Sequence, residues 1–308
     1  MKIFIIKPEP NWITDRLKAE FSAHNPTYIT TNPTEADILW SIGGGEEALG
    51  LQLLREKVFI KTIHHLCPPK LTPQKLIQIQ QLDKLVNGYI CPNHITCRIL
   101  QDIIPDSIIK VIPYWSNPKQ WKPNPHKDKI RQKYNIPLGR FVIGSFQRDT
   151  EGSDLISPKP EKGPDVFCDI VQEMSPAPHV VLTGWRRQYI QQRLKSAHIG
   201  YTYLELPSLS VIAELYNSLD LYLCTSRWEG GPQAILESSL CKIPILSTDC
   251  GMASKVLHKN LIKKNTLDFI TDISRRKKWH LEYNQTQALS LALESLRFKY
   301  INYFSSWI

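Results

Sequence analysis

The sequence predicts an α/β protein made of two parallel-sheet halves facing a cleft. Three observations point there. Short apolar runs recur along the chain, and segments with helical spacing stand between them, the signature of parallel strands joined by crossover helices. A proline-rich stretch without periodicity, residues 113–126, divides that alternation into two series. The 308 residues are too many for one typical domain and enough for two.

The elements follow in order. Residues 3–6 read as a strand that stops at Lys7 and Pro8. Residues 11–23 carry Ile13, Leu17 and Phe21 at helical spacing. Strands follow at 36–42, ended by Gly43, Gly44 and Gly45, and at 58–63, ended by His64 and His65. The spacing predicts a helix over 73–85, capped by Thr72 with Pro73 in its first turn. A strand at 88–91, a helix through Leu100 and a strand at 108–112 complete the first series. The second series places strands at 140–144, 179–183, 201–204, 219–224 and 243–247. Helices are expected at 164–174, 188–197, 211–218 and 233–240, with a terminal helix over about 284–303. The domain boundaries expected from this are 1–113, a linker at 114–126, a second domain at 127–283, and 284–308 packing back on the first domain.

Composition narrows the function classes. At 42% hydrophobic and 22% charged, the chain has an ordinary globular make-up. A formal charge of +9 favours anionic partners: nucleotide phosphates, an anionic membrane face, or nucleic acid. No recognised nucleic-acid motif supports the last. Seven scattered cysteines without a C-x-x-C pair read as reduced core thiols. Cys91, His94 and Cys97 offer metal-like spacing, but no second cluster completes four ligands. No apolar run approaches the ~18 residues a membrane span needs. The expected location is cytoplasmic, with a peripheral position at the inner face of a membrane as a further expectation.

One stretch carries the chemistry. Residues 225–240 read TSRWEGGPQAILESSL and follow the apolar run 219–224, so the unit reads as a buried strand, a glycine turn and a helix. Gly230 and Gly231 let a ligand approach the backbone, and Pro232 suits the first helical turn. Backbone N–H groups at such a helix start favour phosphate. Glu229 and Glu237 add two carboxylates, which suit the hydroxyls of a ribose and a hexose. Alone, acids near a helix N-terminus are also simply favourable there. Together these features read as a nucleotide-sugar site.

With that motif in view, the chain resembles the retaining glycosyltransferases of family 4, which have the GT-B fold of two Rossmann-like domains. Glu229 and Glu237 reproduce the family's E-x7-E signature. The segment VIPYWSNPKQWKP at 111–123 is similar to the family linker, and 212–220 to its approach to the donor site. The segment LCKIPILSTD at 240–249, with Gly251, is similar to the segment that follows the signature. The resemblance is dense over about 108–257 and thinner before. It departs from the family pattern after the first strand, where Lys7 to Trp12 contains no glycine. It departs again at Lys242, where the family has glycine, and at Ser254 and Lys255, which lack the usual acid.

The resemblance implies transfer of a hexose-type sugar from a nucleoside diphosphate sugar to a hydroxyl acceptor, glycan or lipid-linked, with retention at the anomeric carbon. It implies that Arg148 and Lys162 stabilise the leaving diphosphate, with Lys159 as the competing lysine. Glu229 would orient the sugar and Glu237 hold the ribose, with Gly230 and Gly231 at the diphosphate. His64 would face the donor sugar, with His65 as the alternative. Gly43 and Gly44 would form an open acceptor-side loop, with a plain turn as the alternative. No aspartates stand two apart, so the D-x-D metal signature is absent, and neither metal nor cofactor is expected. The rival readings are a non-catalytic nucleotide-sugar-binding GT-B subunit, another nucleotide-sugar enzyme such as an epimerase, and a nucleic-acid binder.

Overall fold

The computed structural model describes residues 1–8, 13–275 and 279–308. Glu9 to Trp12, which include the expected start of the first helix and most of the glycine-free loop, lie outside the described residues. The chain divides into two compact units, residues 1–115 with 291–308, and residues 116–290.

The first unit is built on β1 (Ile3–Ile6), α1 (Ile13–His24), β2 (Ile38–Ser41), α2 (Leu51–Glu56), β3 (Val58–Thr62), α3 (Pro73–Asp83), β4 (Gly88–Cys91), α4 (His94–Ile103) and β5 (Ile109–Val111). Its five strands are parallel in the order β1-β2-β3-β4-β5. Ile29 adds a parallel bridge to Ile3 on the far side of β1. The chain therefore goes one way from β1 to residue 29 and the other way to β2, which puts a topological switch point between β1 and β2. Local chemistry starts the helices: the Thr72 hydroxyl accepts from Lys75 N at 3.2 Å, and the Asn93 amide oxygen from Thr96 N at 2.8 Å.

One face of this sheet is covered by α1 and by the C-terminal helix Leu293–Ser305. Phe21, Trp40, Trp115, Tyr300 and Phe304 pack there with ring centroids 5.0–6.5 Å apart, all but fully buried. Gly88 makes room for this helix, since a Cβ there would lie 2.3 Å from the Tyr303 hydroxyl. The expected helix over 284–303 is two helices. The first is fastened within the second unit by Asn284, whose oxygen accepts from His258 N, and the second brings its aromatics to the first unit. The backbone at Ala292 is extended (φ −59°, ψ 139°), and no glycine or proline marks the break in the sequence.

The second unit comprises α5 (Lys127–Lys133), β6 (Val142–Ser145), α6 (Pro164–Gln172), β7 (His179–Thr183), α7 (Gln188–Ser196), β8 (Tyr201–Leu204), α8 (Leu209–Ser218), β9 (Leu221–Cys224), α9 (Gln233–Leu240), β10 (Ile245–Thr248), α10 (Ala253–Val256), β11 (Ile262–Lys263), α11 (Thr266–Ser274) and α12 (Leu281–Leu289). Its six parallel strands run β11-β10-β9-β6-β7-β8. The chain leaves β6 in one direction for β7 and β8, then crosses back to β9, so the switch point lies between β6 and β9. Gly144 in β6 admits Leu219, whose Cδ1 would stand 2.3 Å from a Cβ at that position. The strands β6, β7 and β9 are wholly buried, which explains their continuous apolar runs. The sequence reading omitted α2, α5, α10, α11 and β11, most of them too short to show a period.

Candidate active site

The carboxyl ends of β6 and β9 flank the switch point of the second unit, and the motif residues gather there. Lys162 Nζ lies 2.5 Å from Glu229 Oε1, the two side chains being 17% and 10% exposed. The Ser226 hydroxyl donates to the same oxygen at 3.0 Å and also lies 3.2 Å from Gln147 Oε1. Gln147 Nε2 in turn donates to the Lys162 carbonyl at 3.1 Å. The loop after β6, the turn before α6 and the loop after β9 are thereby tied into one polar cluster.

Gly163 shows why this turn needs glycine. Its φ is +57°, and a Cβ would lie 2.0 Å from the Thr225 carbonyl. The Thr225 hydroxyl returns a bond to the Gly163 carbonyl at 2.8 Å. Gly251 plays the matching part on the other flank: at φ +55°, its missing Cβ would lie 2.7 Å from the Gly230 carbonyl and 3.0 Å from that of Glu229. The loop after β9 is therefore held at Thr225 by Gly163 and at its Glu-Gly-Gly turn by Gly251. The helix α9 begins at Gln233, with Pro232 one position ahead of it in extended conformation. Glu237, 7% exposed, accepts from the Tyr216 hydroxyl at 2.8 Å.

Arg148 takes a different direction. Its guanidinium lies 5.2 Å from the ring of Trp185, and Nε donates to the Thr150 carbonyl. Arg186 lies 4.7 Å from the same ring, and Trp185 is 48% exposed. Burial, and then the neighbouring Arg186 cation, lower the Arg148 pKa, though a guanidinium stays charged at neutral pH. Beneath it, Arg187 is completely buried against Asp149 at 2.5 Å and donates to the Ser145 and Thr183 carbonyls. That pair locks the loops after β6 and β7 together. The competing lysine, Lys159, is engaged with the buried Glu161 at 3.2 Å.

In the first unit, the loops after β1, β2 and β3 meet at its switch point. Gly45 (φ +86°) abuts the Lys7 carbonyl, 2.4 Å from where its Cβ would stand. The Ser41 hydroxyl accepts from Gly44 N at 3.2 Å and donates to Glu46 at 2.8 Å, and Glu46 pairs with Lys61. Burial opposes ionisation of Glu46, but Lys61 and the Ser41 hydroxyl outweigh it and hold its carboxyl below the usual range. His64 lies against Gly43, and its Nδ1 is hydrogen-bonded to the Tyr114 hydroxyl. The glycines thus form an anchored loop beside His64, with a backbone path at Gly44 and Gly45 that glycine adopts readily.

Sequence reasoning missed Gln147, Ser226, Tyr216, Trp185 and Tyr114. Ser226 lies inside the quoted motif and Gln147 beside Arg148, but nothing in the sequence pairs them. Tyr114 and Trp185 stand in segments read only as linker and turn. Among the described residues, no group of three or more His, Cys, Asp or Glu is placed to hold a metal ion. Nor is any described helix long and apolar enough to cross a membrane.

Residues 154–275 match the family model of glycosyl transferases group 1. The chain is 22% identical over 161 residues to the lipopolysaccharide core biosynthesis mannosyltransferase LpsB of Rhizobium meliloti, covering 48% of this chain. It is 25% identical over 171 residues to the alpha-galactosylglucosyldiacylglycerol synthase of Streptococcus pneumoniae, covering 51% of this chain. Each match spans 42% of the relative's own length, less than half of either protein. Among solved structures, Anabaena HepE in complex with UDP-glucose superposes with a TM-score of 0.80 at 14% identity, covering 99% of both chains. WaaG, a glycosyltransferase involved in lipopolysaccharide biosynthesis, gives 0.68 at 12% identity, covering 97% of this chain and 98% of its own. The chain has the GT-B fold, two parallel-sheet α/β units, and the second unit carries a segment similar to glycosyl transferases group 1.

Proposed function

We propose that this chain is a retaining glycosyltransferase that moves a hexose-type sugar from a nucleoside diphosphate sugar to a hydroxyl acceptor, glycan or lipid-linked. The observation that carries the reading is the Lys162–Glu229 pair at the β6/β9 switch point, inside the segment similar to glycosyl transferases group 1. The geometry suits an exchange of partners. A donor diphosphate takes the Lys162 ammonium and leaves Glu229 to accept from sugar hydroxyls. Arg148 adds a second cation, and Glu237 accepts from the ribose. Charge grows on the leaving phosphate in the transition state, so cations held in advance count most there. The attacking hydroxyl approaches on the face the phosphate leaves, and a phosphate oxygen helps take its proton. His64 contacts the donor sugar. The proposal assigns the charge of the leaving group to these side chains and includes neither metal nor cofactor.

Two features of the relatives guide the choice of substrates. Anabaena HepE was solved with UDP-glucose, which makes that donor the first to try. One relative builds a glycolipid and another a lipopolysaccharide core, which supports a lipid-linked or glycan acceptor. A peripheral membrane contact goes with that acceptor and predicts co-sedimentation with anionic liposomes.

The test is a thermal-shift panel of nucleoside diphosphate sugars on the wild type and on Glu237→Ala. Stabilisation by one donor, abolished by the substitution, supports the reading. No shift with any donor overturns it. Binding of a donor without transfer or hydrolysis points instead to a non-catalytic subunit.

A further inference from the structure

We infer that Tyr114 is a positioning residue that holds His64 as its Nε2–H tautomer, making it a hydrogen-bond donor toward an oxygen of its ligand and not a base. β3 continues past Thr62, since Ile63 N donates to the Ile90 carbonyl at 2.9 Å. Thr62 itself is pinned by Trp40, whose Nε1 donates to its hydroxyl at 2.9 Å. His64 therefore leaves the sheet from a fixed point. Its ring lies 5.4 Å from that of Tyr114, tilted by 33°, and Nδ1 meets the Tyr114 hydroxyl.

Tyr114 is 4% exposed. Burial, with the neighbouring Tyr300, pushes its pKa well up, so the phenol is neutral and carries a proton. Among the described residues, the partner of that hydroxyl is His64 Nδ1. A buried hydroxyl that fails to place its proton loses a hydrogen bond it cannot recover from water. The proton therefore goes to Nδ1, which must be bare to accept it. A neutral imidazole with a bare Nδ1 carries its hydrogen on Nε2. Gly43 makes the arrangement possible on the other side of the ring: a Cβ there would lie 2.6 Å from Nε2. Donation from Nε2 suits a sugar hydroxyl or a phosphate oxygen. That role rests on the proposed function, whereas the tautomer does not.

The tautomer is read directly from a two-bond proton–nitrogen correlation spectrum of the histidine rings, with no donor present. His64 signals are assigned by their loss in His64→Gln. The wild type is expected to show the Nε2–H pattern. Tyr114→Phe is expected to show mixed tautomers at His64 and a fall in kcat/KM of about tenfold, the worth of one hydrogen bond. An Nδ1–H pattern in the wild type overturns the inference, as does a pattern unchanged in Tyr114→Phe. If that variant does not fold, the wild-type spectrum alone decides. An Nε2–H pattern in a protein that binds no donor supports the tautomer and removes only the transferase reading.

Discussion

The Lys162–Glu229 pair is poised between structure and chemistry. Both side chains are largely shielded, so removing either leaves a poorly solvated charge without its partner. Glu229→Ala is expected to lower the stability of the second unit by about 1–3 kcal/mol, read by urea denaturation. It is also expected to lower transfer by about a hundredfold or more, read with saturating donor on protein shown to be folded. A loss of stability with full transfer would make the pair structural only. Gly163 separates the two effects in the other direction. Alanine there meets the Thr225 carbonyl and an unfavourable φ together, so Gly163→Ala should destabilise by about 2–4 kcal/mol. A melting temperature within a degree or so of wild type would show that the turn can give way.

At the scale of elements, Asp220 at the start of β9 fastens α5 to the sheet. It accepts from Lys127 at 2.8 Å, from Arg131 at 2.7 Å, and from Val142 N at 2.8 Å. Burial opposes its ionisation, but the two cations and the N–H outweigh it, and its carboxyl falls below its ordinary value of 3.8. The folded carboxyl thus binds its proton less readily than the unfolded one. Its contribution is fully present above the unfolded value and is lost as pH falls through the lower folded value. Asp220→Asn is expected to cost about 2–3 kcal/mol at neutral pH, because Arg131 is 5% exposed and loses its carboxylate. The gap between the urea midpoints of variant and wild type should narrow below about pH 4. A gap that stays constant with pH would exclude the charge as its source.

At the scale of the whole molecule, the chain passes from the first unit to the second and returns to the first with its C-terminal helix. That return supplies Tyr300 and Phe304 to the face of the sheet where Phe21, Trp40 and Trp115 lie. The first unit is therefore incomplete without residues 291–308. Phe304→Ala should destabilise it by about 3–5 kcal/mol, the range for emptying an aromatic site in a core. Truncation after Ser290 should expose the tryptophans of the first unit, seen as a red-shifted fluorescence spectrum. An unshifted spectrum after truncation would mean that the unit closes its core without the helix.

The local pattern of the chain was enough for the class of fold. Alternating apolar runs and helical spacings marked ten of the eleven strands among the described residues, because a buried parallel strand and an amphipathic helix each leave a short-range trace in sequence. The glycine turn with Glu229 and Glu237 was legible for the same reason: it lies within one contiguous strand–turn–helix. Contacts between distant segments left no such trace. Lys162 and Glu229 stand 67 positions apart, and only the crossing of the chain at the β6/β9 switch point makes them partners. Arg148 meets Trp185 because β6 and β7 are neighbours and the loops that follow them lie side by side, whereas Lys159 pairs with Glu161 only two positions away. Tyr114 and His64, 50 positions apart, meet because the chain beyond β5 runs back over the end of β3. The break after α12 was invisible because no glycine or proline marks it; the two helices separate because their buried faces belong to different units. Periodicity is set by neighbours along the chain, whereas pairing at a site is set by which strand ends the topology brings side by side.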